Sequence, residues 1–543
     1  VSPTLADLPA YRSARESYRL DVPEYFNFGD DVIDRWASQQ PDACALWWVG
    51  PAQGERRLTF AELADRSNRI ANGLRDLGLA RGDQVMLNLP SVPEWWESMV
   101  GLTKADMVAI PTTTMLTEKD IVYRVERAEI DGVITDASGA DKVERVAGDL
   151  PGLGAKVQVG GEPRPGWVAY EDVIGSAPAD REPLPTTSEG QALIYFTSGT
   201  TGPPKMVLHS HASYGIGQRL TADFWLSLEP RTVHWNMSDT GWAKTAYAGY
   251  FGPWISGATV FVAHRPGKFD AKHTLETLAR FPIESLCAPP TVYRMLLQED
   301  LDEFEPMALR HCRAAGEALN AHVLQRWREA TGITIREGYG QSETVFLCGC
   351  LPDLPVKPGS MGLPPPGIEL AVVDVRGDRL PPGQTGEIAV HTEPERPVGL
   401  FTEYWHDPDA TAGCYRNGWY LTGDCAYTDE DGYFWFVARA DDIITSSAYR
   451  IGPFEVESAL MEHPAVAEVA VVGKPDPDRT EIVKAFVVLA AEHEPSDELV
   501  AELQTHVKRT TAPYKYPREI EFLEELPKTV SGKIRRVELR NRG

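Results

Sequence analysis

From residue 59 onward the chain alternates short apolar strands with amphipathic helices, and this limits the fold more than any other feature. "TFAELADRSNRIANGL" opens with Thr59 and Glu62 spaced as a T-x-x-E capping box. Phe60, Leu63, Ile70, Leu74 and Leu77 then recur at helical spacing. "QVMLNL" reads as a strand, "PEWWESMVGL" as a helix and "MVAI" as a strand; "EKDIVYRVERAE" and "GVITD" repeat the scheme. Such alternation predicts α/β layers on a mostly parallel sheet. Residues 150–190, rich in Pro and Gly, read as a surface connection. Beyond about residue 360, short alternating strands between Gly/Pro turns predict an antiparallel β subdomain. After "RADD" at 439–442, helices around "FEVESALMEH" and "DELVAELQTHVKR" and strands "VAEVAVVG" and "IVKAFVVLA" predict a compact α+β unit. At 543 residues the chain exceeds one ordinary core. The expected division is a large N-terminal domain, 1–440, and a small mobile C-terminal domain, 441–543.

The formal net charge is −26. Such a surface repels nucleic acid and anionic lipid, so neither is an expected partner. An anionic small ligand then needs local positive charge or aligned backbone N–H groups. The seven cysteines form no Cys-x-x-Cys pair, and Cys348 and Cys350 flank a single Gly, which suits reduced thiols better than zinc. The N-terminal stretch is polar and mixed in charge, and the most apolar segments are broken by Glu97, Lys104 and Asp106. Neither a signal peptide nor a bilayer span is expected, and a cytoplasmic protein follows as the default.

Against that acidic background "YFTSGTTGPPK" (195–205) stands out. Thr197, Ser198, Thr200 and Thr201 supply hydroxyl donors. Gly199 and Gly202 let backbone N–H groups approach an anion, and Lys205 adds positive charge. The spacing is not that of the P-loop, and "MVLHSH" continues as a strand where a P-loop would start a helix. The run therefore reads as a polyphosphate-binding loop between two strands.

This loop resembles that of the adenylate-forming enzymes: acyl-CoA synthetases, firefly luciferase and peptide-synthetase adenylation domains. "EGYGQSET" (337–344), "WYLTGD" (419–424), "RADDIITSSAYRIGPFEVE" (439–457) and "PKTVSGKIRR" (527–536) follow in the family's order. "PKM", "SDTGWAK" and "APYKYPREIEF" are most similar to the medium-chain acyl-CoA synthetase branch. The resemblance implies that a carboxylate attacks the α-phosphate of ATP, giving acyl-AMP and pyrophosphate, and that the thiol of coenzyme A then takes the acyl group. A benzoate-like acid and a non-CoA acceptor remain as alternatives. The chain ends ten residues past Lys533, so no fused carrier domain is expected. A non-enzymatic nucleotide sensor on this fold would be expected to lack Lys533, Glu343 or Asp424, and all are present.

The same resemblance implies roles residue by residue. Thr197, Ser198, Gly199, Thr200, Thr201, Gly202 and Lys205 hold the β- and γ-phosphates. Glu343 ligates Mg²⁺, a hard ion that takes oxygen donors, with Thr200 as a second candidate. Gly316, Glu317 and Ala318 lie on one face of adenine and Tyr339 on the other, with Gly340, Gln341 and Ser342 in the same nucleotide-binding segment. Asp424 accepts from both ribose hydroxyls, and Arg439 assists. Lys533 meets the substrate carboxylate and the α-phosphate, offsetting charge as two anions approach. Ser447, Ala448, Tyr449, Arg450, Arg479, Tyr516 and Arg518 contact CoA. Lys533 and the 446–450 loop serve different half-reactions from one small domain, so the resemblance implies a rotation hinged at Asp441.

Two departures from the family pattern bear on substrate handling. The thioester loop carries Ala448 where Gly is usual, so a methyl group stands beside the pantetheine channel. Gly340 replaces a Trp found in acetate-activating relatives. With Trp235, Trp242, Tyr247 and Phe251 nearby in sequence, an open, deeper acyl pocket for an apolar acid longer than acetate is expected.

Overall fold

The computed structural model describes residues 8–51, 54–197, 204–446, 449–477, 479–490, 493–528 and 534–542. Thr59 starts the helix Phe60–Asp76 as its spacing predicts: its hydroxyl accepts from the Glu62 N–H, and the Glu62 carboxylate accepts from the Thr59 N–H. The buried stripe of that helix is Phe60, Leu63, Ile70 and Leu74.

Two eight-stranded sheets form the bulk of the molecule. The first runs, in spatial order, Glu403–Tyr404, Lys205–Ser210, Gln191–Thr197, Val108–Pro111, Gln84–Asn88, Gly132–Asp136, Ala155–Val159 and Val168–Ala169. Its pairs are parallel except at the Lys205–Ser210 strand, which is antiparallel to both neighbours. The second runs Phe346–Gly349, Ile335–Gly340, His311–Ala315, Ser285–Ala288, Val233–Asn236, Thr259–Ala263, Cys44–Val49 and Glu55–Thr59. It too is parallel inside, with an antiparallel pair at each end. Residues 150–190 are more than a surface connection. They supply two strands of the first sheet and the helix Tyr170–Ser176, whose Tyr170, Val173 and Ile174 are buried. These short segments carry too few apolar residues for periodicity to register; their partners lie elsewhere in the chain.

Helix Pro93–Lys104 is buried almost throughout, including the charges that interrupt its apolar sequence. Glu97 meets Arg56 at 2.6 Å, Arg66 at 2.9 Å and the Tyr170 hydroxyl at 2.9 Å. The Lys104 ammonium meets Asp34 at 2.6 Å and Asn68 at 2.8 Å. Buried charge is tolerated here because each group is paired. Among the described residues, no helix is long and apolar enough to cross a membrane.

A five-stranded antiparallel sheet, Leu370–Val373, Gly386–His391, Tyr415–Arg416, Trp419–Thr428 and Phe434–Arg439, answers the change of texture past residue 360. The last sheet, Ile444–Ser446, Tyr449–Ile451, Val466–Asp476, Thr480–Leu489 and Glu519–Phe522, packs on helices Pro453–Met461 and Asp497–Thr510 around its own core, including Ile451, Val456, Leu460, Val471, Val483 and Leu503.

Candidate nucleotide and acyl site

Asp424 is buried on strand Trp419–Thr428, next to Arg439 in the antiparallel register of the following strand. Tyr339 is the penultimate residue of strand Ile335–Gly340 in the second large sheet, and its hydroxyl donates to Asp424 Oδ2 at 2.7 Å. Gln341 Nε2 donates to the same oxygen at 2.6 Å and to the Thr422 carbonyl at 2.8 Å. Arg439 Nε lies 3.5 Å from Asp424 and 3.7 Å from Asp441. Burial opposes the Arg439 charge, but the two carboxylates outweigh it and hold the guanidinium above its ordinary range. Burial, and then the Asp424 charge, push the Tyr339 phenol well up, so it stays a donor.

The segment after Tyr339 is held by side chains whose part in it no sequence motif gives. The Ser342 carbonyl accepts from Tyr214 at 2.9 Å and meets His209 Nε2 at 2.7 Å. Burial lowers His209 to about 3, so the ring is neutral at physiological pH. The Tyr247 hydroxyl donates to the Gln341 and Thr344 carbonyls. Tyr404 donates to Glu343 Oε1 at 2.8 Å. Burial pushes the Glu343 carboxyl up, and the Tyr404 hydrogen bond pulls against that shift. None of these four residues carries a motif of its own. His209 and Tyr404 arrive through the pairing of Lys205–Ser210 with Glu403–Tyr404, a long-range contact without a local signal.

Strands Gln191–Thr197 and Lys205–Ser210 form the antiparallel pair expected around the glycine loop, with Thr197 opposite Lys205. Ser198, Gly199, Thr200, Thr201 and Gly202 lie outside the described residues, as do Ser447, Ala448 and Lys533. Gly316 has φ +101°, a left-handed conformation that favours glycine, and follows strand His311–Ala315. The Glu317 carboxylate is occupied by Thr291 at 2.8 Å and Arg294 at 3.3 Å. Glu337 is buried and accepts from the Leu319 N–H at 3.0 Å, anchoring the end of the 316–318 segment; burial raises its carboxyl to about 8.

Trp235 lines a cavity of roughly 260 Å³ with Ser91, Trp96, Asn236, Phe261 and Phe269, at the carboxyl ends of adjacent strands of the second sheet. Trp242 and Gly340 are not among its lining residues. The open space expected over Gly340 is absent. A Cβ there would meet the Val345 carbonyl oxygen at 2.6 Å and the Tyr247 ring at 3.2 Å. Tyr247, from a distant segment, takes up the room.

In the C-terminal unit, Tyr449 stacks on Tyr514 with centroids 4.1 Å apart and is 49% exposed. Arg518 donates to the Tyr516 hydroxyl at 3.0 Å, and Thr480, next to Arg479, pairs with Ser446. Arg450 belongs to the short strand Tyr449–Ile451. These contacts all stay within that unit. At the junction, Arg540 donates to the Asp441 carbonyl at 3.2 Å and to the Asp442 carboxylate. Phe454 packs edge-on against Phe436 across it. Arg536, paired with Glu457 at 2.6 Å, also feels the field of Glu317.

Residues 33–405 match the family model described as "AMP-binding enzyme", and residues 455–533 match "AMP-binding enzyme C-terminal domain". The chain belongs to the AMP-binding enzyme family. It is 48% identical to the mitochondrial acyl-coenzyme A synthetase ACSM3 of Mus musculus over 540 residues, covering 98% of this chain and 93% of that one. The corresponding Homo sapiens ACSM5 is 47% identical, over 96% of this chain and 91% of its own. Among solved structures, the anthranilate CoA ligase AuaEII with anthranoyl-AMP superposes with TM-score 0.88 at 31% identity, covering 96% of this chain and 98% of that one. A benzoate CoA ligase from Burkholderia xenovorans LB400 gives 0.83 at 27%, covering 95% and 100%. Like its relatives, this AMP-binding enzyme is an acid–thiol ligase that uses ATP and CoA. The expectation of a cytoplasmic location is overturned, because the matched synthetases are named mitochondrial. Charge and reduced cysteines describe any reducing aqueous compartment, so they could not separate the two.

Proposed function

We propose that this enzyme converts a medium-chain carboxylic acid to its acyl-CoA through an acyl-adenylate. The observation that carries the substrate class is the Trp235 cavity. At roughly 260 Å³ it exceeds the ~150 Å³ that accepts benzene, and its aromatic lining suits an acyl chain longer than acetate. Its aromatic walls also favour a second reading, an aryl acid, as in the anthranilate and benzoate ligases of similar structure.

Asp424 would accept the ribose hydroxyls, already oriented by Tyr339, Gln341 and Arg439. The Arg439 guanidinium stands 3.5 Å from that buried acceptor. Glu343, an oxygen donor that shares Tyr404 as a neighbour with Lys205, fits Mg²⁺ on the phosphates, where the metal would offset charge on the departing pyrophosphate. Lys533 would bring the second cation, at the α-phosphate. Tyr449, stacked away on Tyr514, would come in only after rotation about Asp441, which we take as the boundary of the 441–543 domain. The names of the relatives support a mitochondrial site of action. Pyrophosphate release across acids from acetate to dodecanoate and across aryl acids, with and without CoA, tests the reading. Maximal turnover on acetate, or CoA-independent product release, would sink it.

A further inference from the structure

We propose that Tyr404 is a positioning residue of the first half-reaction, setting the Glu343 carboxylate and the Lys205 ammonium at a fixed separation before ATP binds. This rests on assigning Glu343 to the metal and Lys205 to the phosphates. Tyr404 is 6% exposed and lies on the short edge strand Glu403–Tyr404, paired with Val207 of the strand that begins at Lys205. Its hydroxyl donates to Glu343 Oε1 at 2.8 Å. The Lys205 ammonium sits 4.4 Å from the centre of its ring. One side chain thus touches both charged groups, through two different chemistries.

The surroundings fix the ring. The Phe401 ring packs 4.9 Å from it, the Tyr404 N–H donates to Thr411 at 2.9 Å, and the next residue's N–H donates to the Met206 carbonyl at 2.8 Å. The Phe401 N–H also donates to the Glu343 carbonyl at 2.8 Å, so residues 401–404 hold Glu343 by main chain and by carboxylate. A phenol on Oε1 leaves the second carboxylate oxygen for a ligand and limits rotation of the group. The ring face attracts the ammonium while leaving its N–H donors available to an anion. Tyrosine is the residue that supplies both, because phenylalanine lacks the donor and a leucine lacks the face as well.

The test uses the full chain with Tyr404→Phe, Tyr404→Leu and Glu343→Gln. The readouts are the Mg²⁺ concentration giving half-maximal ATP–pyrophosphate exchange, Mn²⁺ binding in the presence of ATP by electron paramagnetic resonance, and AMP binding by calorimetry. Losing an outer partner of a metal ligand typically costs about 10–100-fold in metal affinity. Tyr404→Phe should therefore raise the Mg²⁺ requirement about tenfold and weaken Mn²⁺–ATP binding in parallel, with AMP binding within about twofold of wild type. Tyr404→Leu should weaken Mn²⁺–ATP binding further; no further loss would overturn the Lys205 half of the proposal. If Glu343→Gln shifts the metal requirement and Tyr404→Phe does not, the proposal is wrong while the metal assignment stands. Equal losses of AMP and Mn²⁺–ATP binding in Tyr404→Phe would make Tyr404 a general structural residue and overturn it too. If Glu343→Gln changes nothing, the metal assignment fails and the proposal with it.

Discussion

Asp424 and Tyr449, which we assign to the first and second half-reactions, sit in contrasting surroundings. Asp424 is buried and held by Tyr339 and Gln341 from one stretch of chain and by Arg439 from another. Tyr449 is half exposed, and its partner is another exposed ring, Tyr514, in its own unit. The first environment is preorganised, with donors and charges in place before substrate arrives, which is where electrostatic catalysis gains most. In the cycle we propose, the second would be assembled only when the small unit moves, so its chemistry would be gated by conformation.

The sharpest way to break this comparison is Lys533→Ala. Pyrophosphate release should fall about 10²–10³-fold, as expected for loss of a transition-state cation, while CoA transfer from preformed acyl-AMP stays near wild type. Equal loss in both single-turnover assays would merge the two regions into one site. Next comes Asp441→Pro, which should stop thioester formation and leave adenylation largely intact. Retained acyl-CoA synthesis would mean that no rotation about residue 441 is needed.

Gly340→Ala probes the packing around the preorganised side. Its methyl would press on the Val345 carbonyl and Tyr247, and overpacking of this kind costs about 1–3 kcal/mol. A drop in melting temperature with an unchanged chain-length profile is expected; a shift toward acetate would return Gly340 to the acyl pocket. Glu337→Gln gives a smaller, pH-dependent effect. Glu337 titrates at about 8 when folded against an ordinary 4.5, so the folded state binds the extra proton between those values. Stability must then fall as pH rises through that window. The amide, which keeps an acceptor for the Leu319 N–H, should gain stability over wild type at pH 8 relative to pH 5 in thermal melts. Parallel melting curves at both pH values would contradict the shift. Smallest of all, Ala448→Gly should speed CoA transfer from acyl-AMP by no more than a few-fold, the scale of the ~1 kcal/mol that separates Ala from Gly in a glycine-preferring position. An unchanged rate would show that the added methyl is accommodated.

Much of the architecture was legible because its signals are local. The capping box at Thr59, the strand–helix alternation and the Gly/Pro-punctuated strands past residue 360 each announce themselves within a dozen residues. Asp424, Glu343, Tyr339 and Lys205 were legible as well, since each stands in a motif. Tyr404, His209 and Tyr214 were not, nor was the part that Tyr247 takes. Each acts by reaching a backbone carbonyl or carboxylate in a remote segment, and spacing along the chain carries no trace of that. The crowding at Gly340 was hidden for the same reason: a glycine states that its own side chain is missing, not what fills the vacancy. The buried Glu97 and Lys104 are a further instance, since their partners Arg56, Arg66, Asp34 and Asn68 belong to other elements.

The sequence by itself determined the layered α/β plan, the antiparallel and C-terminal units, and the adenylate-forming chemistry, because periodicity, turn residues and motif order are properties of neighbouring residues. Tertiary structure alone decided which groups orient Asp424 and Glu343, where a cavity opens beside Trp235, and that Tyr449 is stacked on Tyr514. Those depend on strand register and on side chains brought together across hundreds of residues, where burial and charge act on distance in space and not on distance along the chain.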